Sequence, residues 1–211
     1  MRKTIVCHFR HTIAAQKAER HLSKVCLIRY TIGMTHYDMI YDQAADNYGF
    51  ITSAEARVLG VPNISLVKMA SRGKLNKVGH GVYRLTRYFP TAFDKYAEAI
   101  ARVGHGAYIY GESVLAMHDL ALVNPRTITV ATPARIRKKL PPYITIVPAT
   151  DKTEITQYEC VPSQSVADAI RTCRPVVMNE RLLPAIEEAR RRGLVTEREA
   201  KALTKELKNG R

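Results

Sequence analysis

Between residues 37 and 85 the spacing of apolar positions changes three times, and each change marks an element. Residues 37–48 place Met39, Ile40, Ala44 and Tyr48 at helical spacing, with Asp38, Asp42 and Asp46 facing water. That pattern predicts an amphipathic helix ended by Asn47-Tyr48-Gly49, its acids turned away from any polyanion. Thr52 then precedes a second helical pattern and has Glu55 three residues on. This is a capping box: the hydroxyl accepts from a first-turn N–H and the carboxylate reaches back to the cap. Ala54, Val58 and Leu59 are expected on the inner face of this helix. Gly60 stops it, because the left-handed conformation costs glycine nothing. Pro62 pre-sets φ for a third helix. Leu66, Met69 and Ala70 fall at its core spacing, Asn63, Ser65, Lys68, Ser71 and Arg72 on its other faces, and Gly73 ends it. Residues 74–85 then take the period of strands, with Val78 and Val82 flanking Gly79-His80-Gly81 as the tip of a hairpin.

Helix, tight turn, helix and a two-stranded basic ribbon is the order of a winged helix-turn-helix. The helix from Asn63 to Arg72 has the size to enter a major groove. The candidate DNA contacts are Thr52, Ser53, Asn63, Ser65, Lys68, Ser71, Arg72, Lys74, Lys77, His80 and Arg84. Lys68, Arg72, Lys74, Lys77 and Arg84 suit phosphates, which position a protein without reading sequence. Asn63 and Ser65, on the first turn, are the candidate base readers, and an asparagine matches adenine N6 and N7. Two other readings stand beside these: Asn63 as the cap of its own helix, and the whole unit as a protein-docking module.

The remaining chain predicts an α+β domain over residues 91–211, after a short link broken by Pro90. Residues 92–103 read as a helix with Phe93, Tyr96, Ala97 and Ile100 inward. A short strand at 107–110 is followed by a helix running to Leu120. Residues 127–132, 143–147 and 154–161 are β-branched and partly alternating, as strands are. Ser163 or Ser165 opens a helix to Cys173, residues 181–192 form another, and Thr196 with Glu199 is a second capping box for a last helix through Leu207. A sheet with helices around it makes the domain α+β.

Charge sharpens the picture. The chain of 211 residues carries a formal net charge of +14 and an isoelectric point of about 9.8. Such an excess points to a polyanionic partner, nucleic acid before membrane. Arg135, Arg137, Lys138 and Lys139 form a candidate second basic patch, and Arg190, Arg191 and Arg192 a third group late in a helix, where cations suit the dipole. Residues 1–33 hold seven Lys and Arg against one acid, Glu19. They are expected to be a non-native extension, translation starting at Met34, with a basic arm on DNA as the rival reading. No apolar run approaches the ~20 residues that span a bilayer, and the expected location is the cytoplasm, without membrane contact.

The string running from Ile51 through Gly60, Val61 and Pro62 to Leu66, Arg72, Gly73, Lys74, Leu75, Gly81, Val82 and Tyr83 closely resembles the N-terminal winged domain of AbiEi-family antitoxins of type IV toxin–antitoxin systems. His80 departs from it, standing where the family often has Arg, so the resemblance implies a weaker or pH-dependent wing contact to phosphate. Tyr110 to His118, Pro125, Thr127 to Val130, and Val161 with Ala167, Asp168 and Ile170 resemble the family's second domain. The resemblance implies a monomer, or a pair assembled on DNA, that binds inverted repeats in its own promoter. It also implies that residues 34–86 are the DNA-binding winged domain and that the domain over residues 91–211 counters a nucleotidyltransferase-like toxin. The alternative is a stand-alone winged-helix regulator whose second domain senses a ligand or dimerises.

Enzymatic motifs are weak. Ser113, His118 and Asp119 suggest a triad, but Ser113 and His118 are five apart on one predicted helix and lie on different faces. Ser113 is expected to cap and His118 to pack or face water. Asp168 is expected to cap a helix or pair with Arg171 or Arg174. There is no P-loop, G-x-G-x-x-G or H-E-x-x-H. The four cysteines, Cys7, Cys26, Cys160 and Cys173, fit no zinc template. No enzyme activity and no cofactor or metal are expected.

Overall fold

The computed structural model describes residues 34–150 and 153–209. The proposed extension over residues 1–33 lies outside them. The chain divides into two compact units between Pro90 and Thr91, and the secondary structure is α+β in both.

The first unit begins with helix α1, His36–Ala45. Thr35 caps it, with Asp38 returning the bond to the cap. Strand β1 follows at Phe50–Thr52, then α2 at Ser53–Val58 and α3 at Asn63–Ser71. Strands β2, Leu75–Gly79, and β3, Val82–Leu85, complete it. The three strands pair antiparallel in the order β1-β3-β2. The hairpin slips register between Lys77 and Gly79, and Gly79 pairs with Val82 across the His80-Gly81 tip. This is the order of elements in a winged helix-turn-helix.

One core holds it together. Ile40 and Ala44 from α1, Ile51 from β1, Ala56 from α2, Leu66 and Met69 from α3, and Leu75, Tyr83 and Leu85 from the ribbon pack in one cluster. The expected Thr52–Glu55 box is present: the Glu55 carboxylate accepts from the Thr52 N–H at 2.7 Å and the Thr52 hydroxyl accepts from the Glu55 N–H at 3.1 Å. The inner face expected for α2 is corrected. Ala56 is buried while Ala54 and Val58 face outward, Val58 at 88% exposure. A helix of six residues is too short for periodicity to fix its face. The first helix also ends earlier than its pattern predicts. Tyr48 and Gly49 both take positive φ, and Phe50 to Thr52 enter the sheet.

In the second unit α4, Asp94–Val103, precedes a mixed five-stranded sheet. Its strands are β4, Tyr108–Ile109, β5, Ile128–Thr132, β6, Ile144–Pro148, β7, Ile155–Tyr158, and β8, Val161–Gln164. Their order is β6-β5-β4-β8-β7. The short helix α5, Glu112–Met117, lies between β4 and β5 in sequence. Helices α6, Val166–Cys173, α7, Asn179–Arg191, and α8, Glu197–Asn209, follow the sheet. The single strand expected at 154–161 is two. The chain reverses at Glu159-Cys160, both with positive φ, and Tyr158 pairs with Val161. Two left-handed residues make a tight hairpin turn, but neither is the Gly or Asn that announces one. Ser165, the second of the two serines considered, caps α6 by accepting from the Asp168 N–H, and the Thr196–Glu199 box opens α8. No helix among the described residues is long and apolar enough to cross a membrane.

Gly49 and Gly60 share nearly the same φ, +78° and +76°, but differ in surroundings. A Cβ at Gly60 meets nothing within 4 Å, whereas one at Gly49 falls 2.7 Å from Cγ of Tyr88. Gly60→Ala should therefore cost the left-handed backbone alone, about 1–2 kcal/mol. Gly49→Ala should add about 1–3 kcal/mol of overpacking. Urea denaturation of both variants checks this, and equal costs would mean that the Tyr88 ring yields freely.

Candidate nucleic-acid interface

Helix α3 is anchored by Leu66 and Met69, both buried. Positions three and four apart share a helical face, so the side opposite this anchor carries Ile64, Val67, Lys68 and Ser71. Ile64 is 58% and Val67 46% exposed, and Lys68 and Ser71 are exposed beside them. The Ser71 hydroxyl donates to the Lys68 carbonyl at 2.9 Å, so its proton is used within the helix. The outward ridge is thus two apolar side chains, one cation and one hydroxyl.

The two candidate base readers sit on the flanks of this ridge. Pro62, extended at φ −63° and ψ 144°, occupies the cap position and gives no side-chain bond. Asn63 is therefore the first helical residue and does not cap. Its Oδ1 accepts from the Ser53 hydroxyl at 2.9 Å, which ties the start of α3 to the start of α2. The Ser53 N–H in turn donates to the Gly81 carbonyl at the wing tip, 2.8 Å. Thr52, Ser53, Asn63 and the His80-Gly81 tip therefore gather at one end of the unit, with His80 exposed there. On the other flank the Ser65 hydroxyl lies 3.3 Å from Nδ1 of His36. That contact brings the beginning of α1 against α3.

The cations divide. Lys68, Arg72 and Lys77 are exposed and enter no ion pair among the described residues. Lys74 places its Nζ 4.1 Å from the centre of the Tyr37 ring, a cation–π contact. It also helps hold the Asp38 carboxyl below its usual range, an effect due mainly to the hydrogen bonds from Thr35. Arg84 lies on the outer face of the sheet, its guanidinium 5.1 Å from the centre of Phe50 and 5.7 Å from that of Tyr88. These two cations are engaged in the fold, unlike the first three.

Residues 39–86 match the family described as Transcriptional regulator, AbiEi antitoxin. The match falls within the first unit and covers under a quarter of the chain. Residues 39–86 are thus similar to that family's domain. No curated protein matches the chain. The features of the matched stretch that sequence reasoning passed over are Ile64 and Val67. Apolar residues at helical spacing read as core, and only the burial of Leu66 and Met69 on the opposite side shows that these two face out.

In the second unit Arg135, Arg137, Lys138 and Lys139 are all exposed, on the connection between β5 and β6. Arg190, Arg191 and Arg192 are not a free basic group. Arg190 pairs with Glu187 and Glu197, and Arg191 and Arg192 both pair with Glu188. Asp168 pairs with Arg171 at 3.0 Å and accepts from the Glu154 N–H. Ser113 does not cap, since Gly111 holds that position. It is fully buried, accepts from the Thr129 N–H at 2.8 Å and so secures the edge of β5. Among the described residues no group of three or more His, Cys, Asp and Glu is placed to hold a metal.

His118 is buried against the Tyr158 ring, centroids 3.9 Å apart, and its Nδ1 has no partner. Burial, with the nearby Arg192 charge, pushes its pKa down to about 4. The folded state then binds the proton less readily than the unfolded chain does. Stability is fully present above the unfolded value near 6.5 and is lost as the pH falls toward 4. The loss should reach the order of 3 kcal/mol. Urea midpoints measured from pH 7 to pH 4 should fall steadily, and His118→Phe should flatten that part of the curve.

Proposed function

We propose that this chain is a sequence-specific DNA-binding repressor of its own promoter that also acts as a type IV antitoxin. The observation that carries the reading is the outward face of α3, exposed and carrying or flanked by Lys68, Arg72 and Lys77, cations with no ion pair among the described residues, within a stretch matching the AbiEi family. Free cations at such a face suit phosphates, and a helix of this length suits the major groove. The second unit would oppose a nucleotidyltransferase-like toxin without a stable inhibitory complex. Two copies would pair on inverted repeats. The exposed Arg135, Arg137, Lys138 and Lys139 are placed to meet further phosphates or an acidic partner.

A second reading has an observation of its own. The family match ends at residue 86, so the second unit is compatible with a stand-alone regulator that senses a ligand or dimerises. Co-expression with the product of the neighbouring reading frame separates the two: a toxic product whose effect on growth this chain relieves supports the antitoxin, and any other outcome supports the regulator.

The DNA half is tested by titrating the full chain with the DNA upstream of its gene and with scrambled DNA, across a salt series. The upstream DNA should bind more tightly. Lys68→Ala and Arg72→Ala should each weaken binding on both DNAs and lower the slope of log K against log salt by about one unit. Equal binding of the two DNAs, or none, would move protein docking to the front.

A further inference from the structure

Ile64 and Val67 are both exposed, adjacent on one helical face, and share it with Lys68. Single exposed apolar residues are ordinary on a protein surface. Two on the outermost ridge of a helix that is otherwise well anchored are a feature to be covered. Arg72 at the end of the same helix and Lys77 in the next strand are exposed cations, so the surroundings favour a polyanion over a lipid or an acid-poor protein face. Within the major groove of DNA the one apolar group that projects from the bases is the C5-methyl of thymine.

The polar residues nearby are poorly disposed to read bases. Asn63 Oδ1 already accepts from Ser53, Ser65 contacts His36, and the Ser71 proton goes to the Lys68 carbonyl. Asn63 and Ser65 lie on the flanks of the ridge, and Ser71 at its C-terminal end. Direct readout by hydrogen bonds therefore falls to the flanks, while the middle of the helix offers only van der Waals contact and one ammonium. The geometry points to Ile64 and Val67 as specificity-determining residues that recognise thymine methyl groups, with Lys68 placed to meet a guanine edge or a phosphate next to them. This assignment rests on the DNA-binding reading above.

The test uses the full chain and the DNA upstream of its gene, prepared once with thymine and once with uracil in its place. The two DNAs pair alike and differ by the C5-methyl alone. Fluorescence anisotropy should show tighter binding to the thymine form, by about fourfold for each methyl covered. Ile64→Ala and Val67→Ala should each reduce that preference, and the double variant should abolish it, with the salt slope unchanged. Both sites are exposed and alanine is the best helix former, so the variants are expected to fold, as circular dichroism would check. Specific binding with equal affinity for the two DNAs overturns the assignment and leaves the repressor reading intact. A preference that survives in the double variant also overturns it, because the methyl is then read elsewhere or through DNA shape. If the thymine DNA binds no better than scrambled DNA, the repressor reading itself fails and the assignment with it.

Discussion

Everything at the wing-tip end of the first unit depends on the junction of Thr52 and Ser53. Thr52 closes the sheet by pairing with Val82, and the same residue caps α2 through its box with Glu55. One residue later the Ser53 N–H binds the Gly81 carbonyl and its hydroxyl binds Asn63. Four elements (β1, α2, the wing tip and α3) therefore meet through two adjacent residues. The contacts are directional, and two of them use the Ser53 and Glu55 N–H groups that the start of α2 leaves unpaired. The junction fixes where the beginning of α3 stands relative to the wing. It does so without using the outer ridge of α3, which stays available.

That division of labour explains how much was legible in the sequence. Capping boxes at Thr52 and Thr196 and the stops at Gly60 and Gly73 are local chemistry, and they placed the helices well. The buried stripe of α3 was visible in Leu66 and Met69. Ile64 and Val67 were not, because an apolar residue carries no mark of which way it faces until its neighbours are packed. Asn63 and Ser65 had the right chemistry for reading bases, but nothing local shows that Ser53 and His36 lie against them. Strand β1 escaped for another reason. Three residues between a positive-φ pair and a helix cap have no period to detect. The reversal at Glu159-Cys160 was hidden because its left-handed residues are not the types that usually adopt that conformation.

Charge was legible in amount and not in arrangement. The net excess of +14 says that a polyanion will be attracted and nothing about where. Arg190, Arg191 and Arg192 look basic in sequence, but each has a carboxylate partner on α7 or α8. Exposed pairs of this kind contribute little to stability, yet they remove three cations from the surface field. Lys74 and Arg84 keep their charge but are held against aromatic rings. The other exposed cations without an ion pair among the described residues of the first unit are Arg57, Lys68, Arg72, Lys77 and Arg87, of which Lys68, Arg72 and Lys77 run from the end of α3 into the wing.

In the proposed DNA-binding function, a face built from exposed cations and an apolar ridge would divide its work by range. Cations act over a Debye length, about 8 Å at physiological salt, and draw any duplex to the surface. Apolar contact acts only within van der Waals distance and only where a methyl is present. The first sets affinity and its dependence on salt; the second distinguishes one sequence from another once the helix is seated. Placing Lys68 on the ridge between them makes the two depend on one docking geometry. On that proposal, displacing α3, by loss of the Ser53–Asn63 contact for instance, would lose phosphate and methyl contacts together, whereas trimming Ile64 or Val67 would remove selectivity and leave the attraction in place.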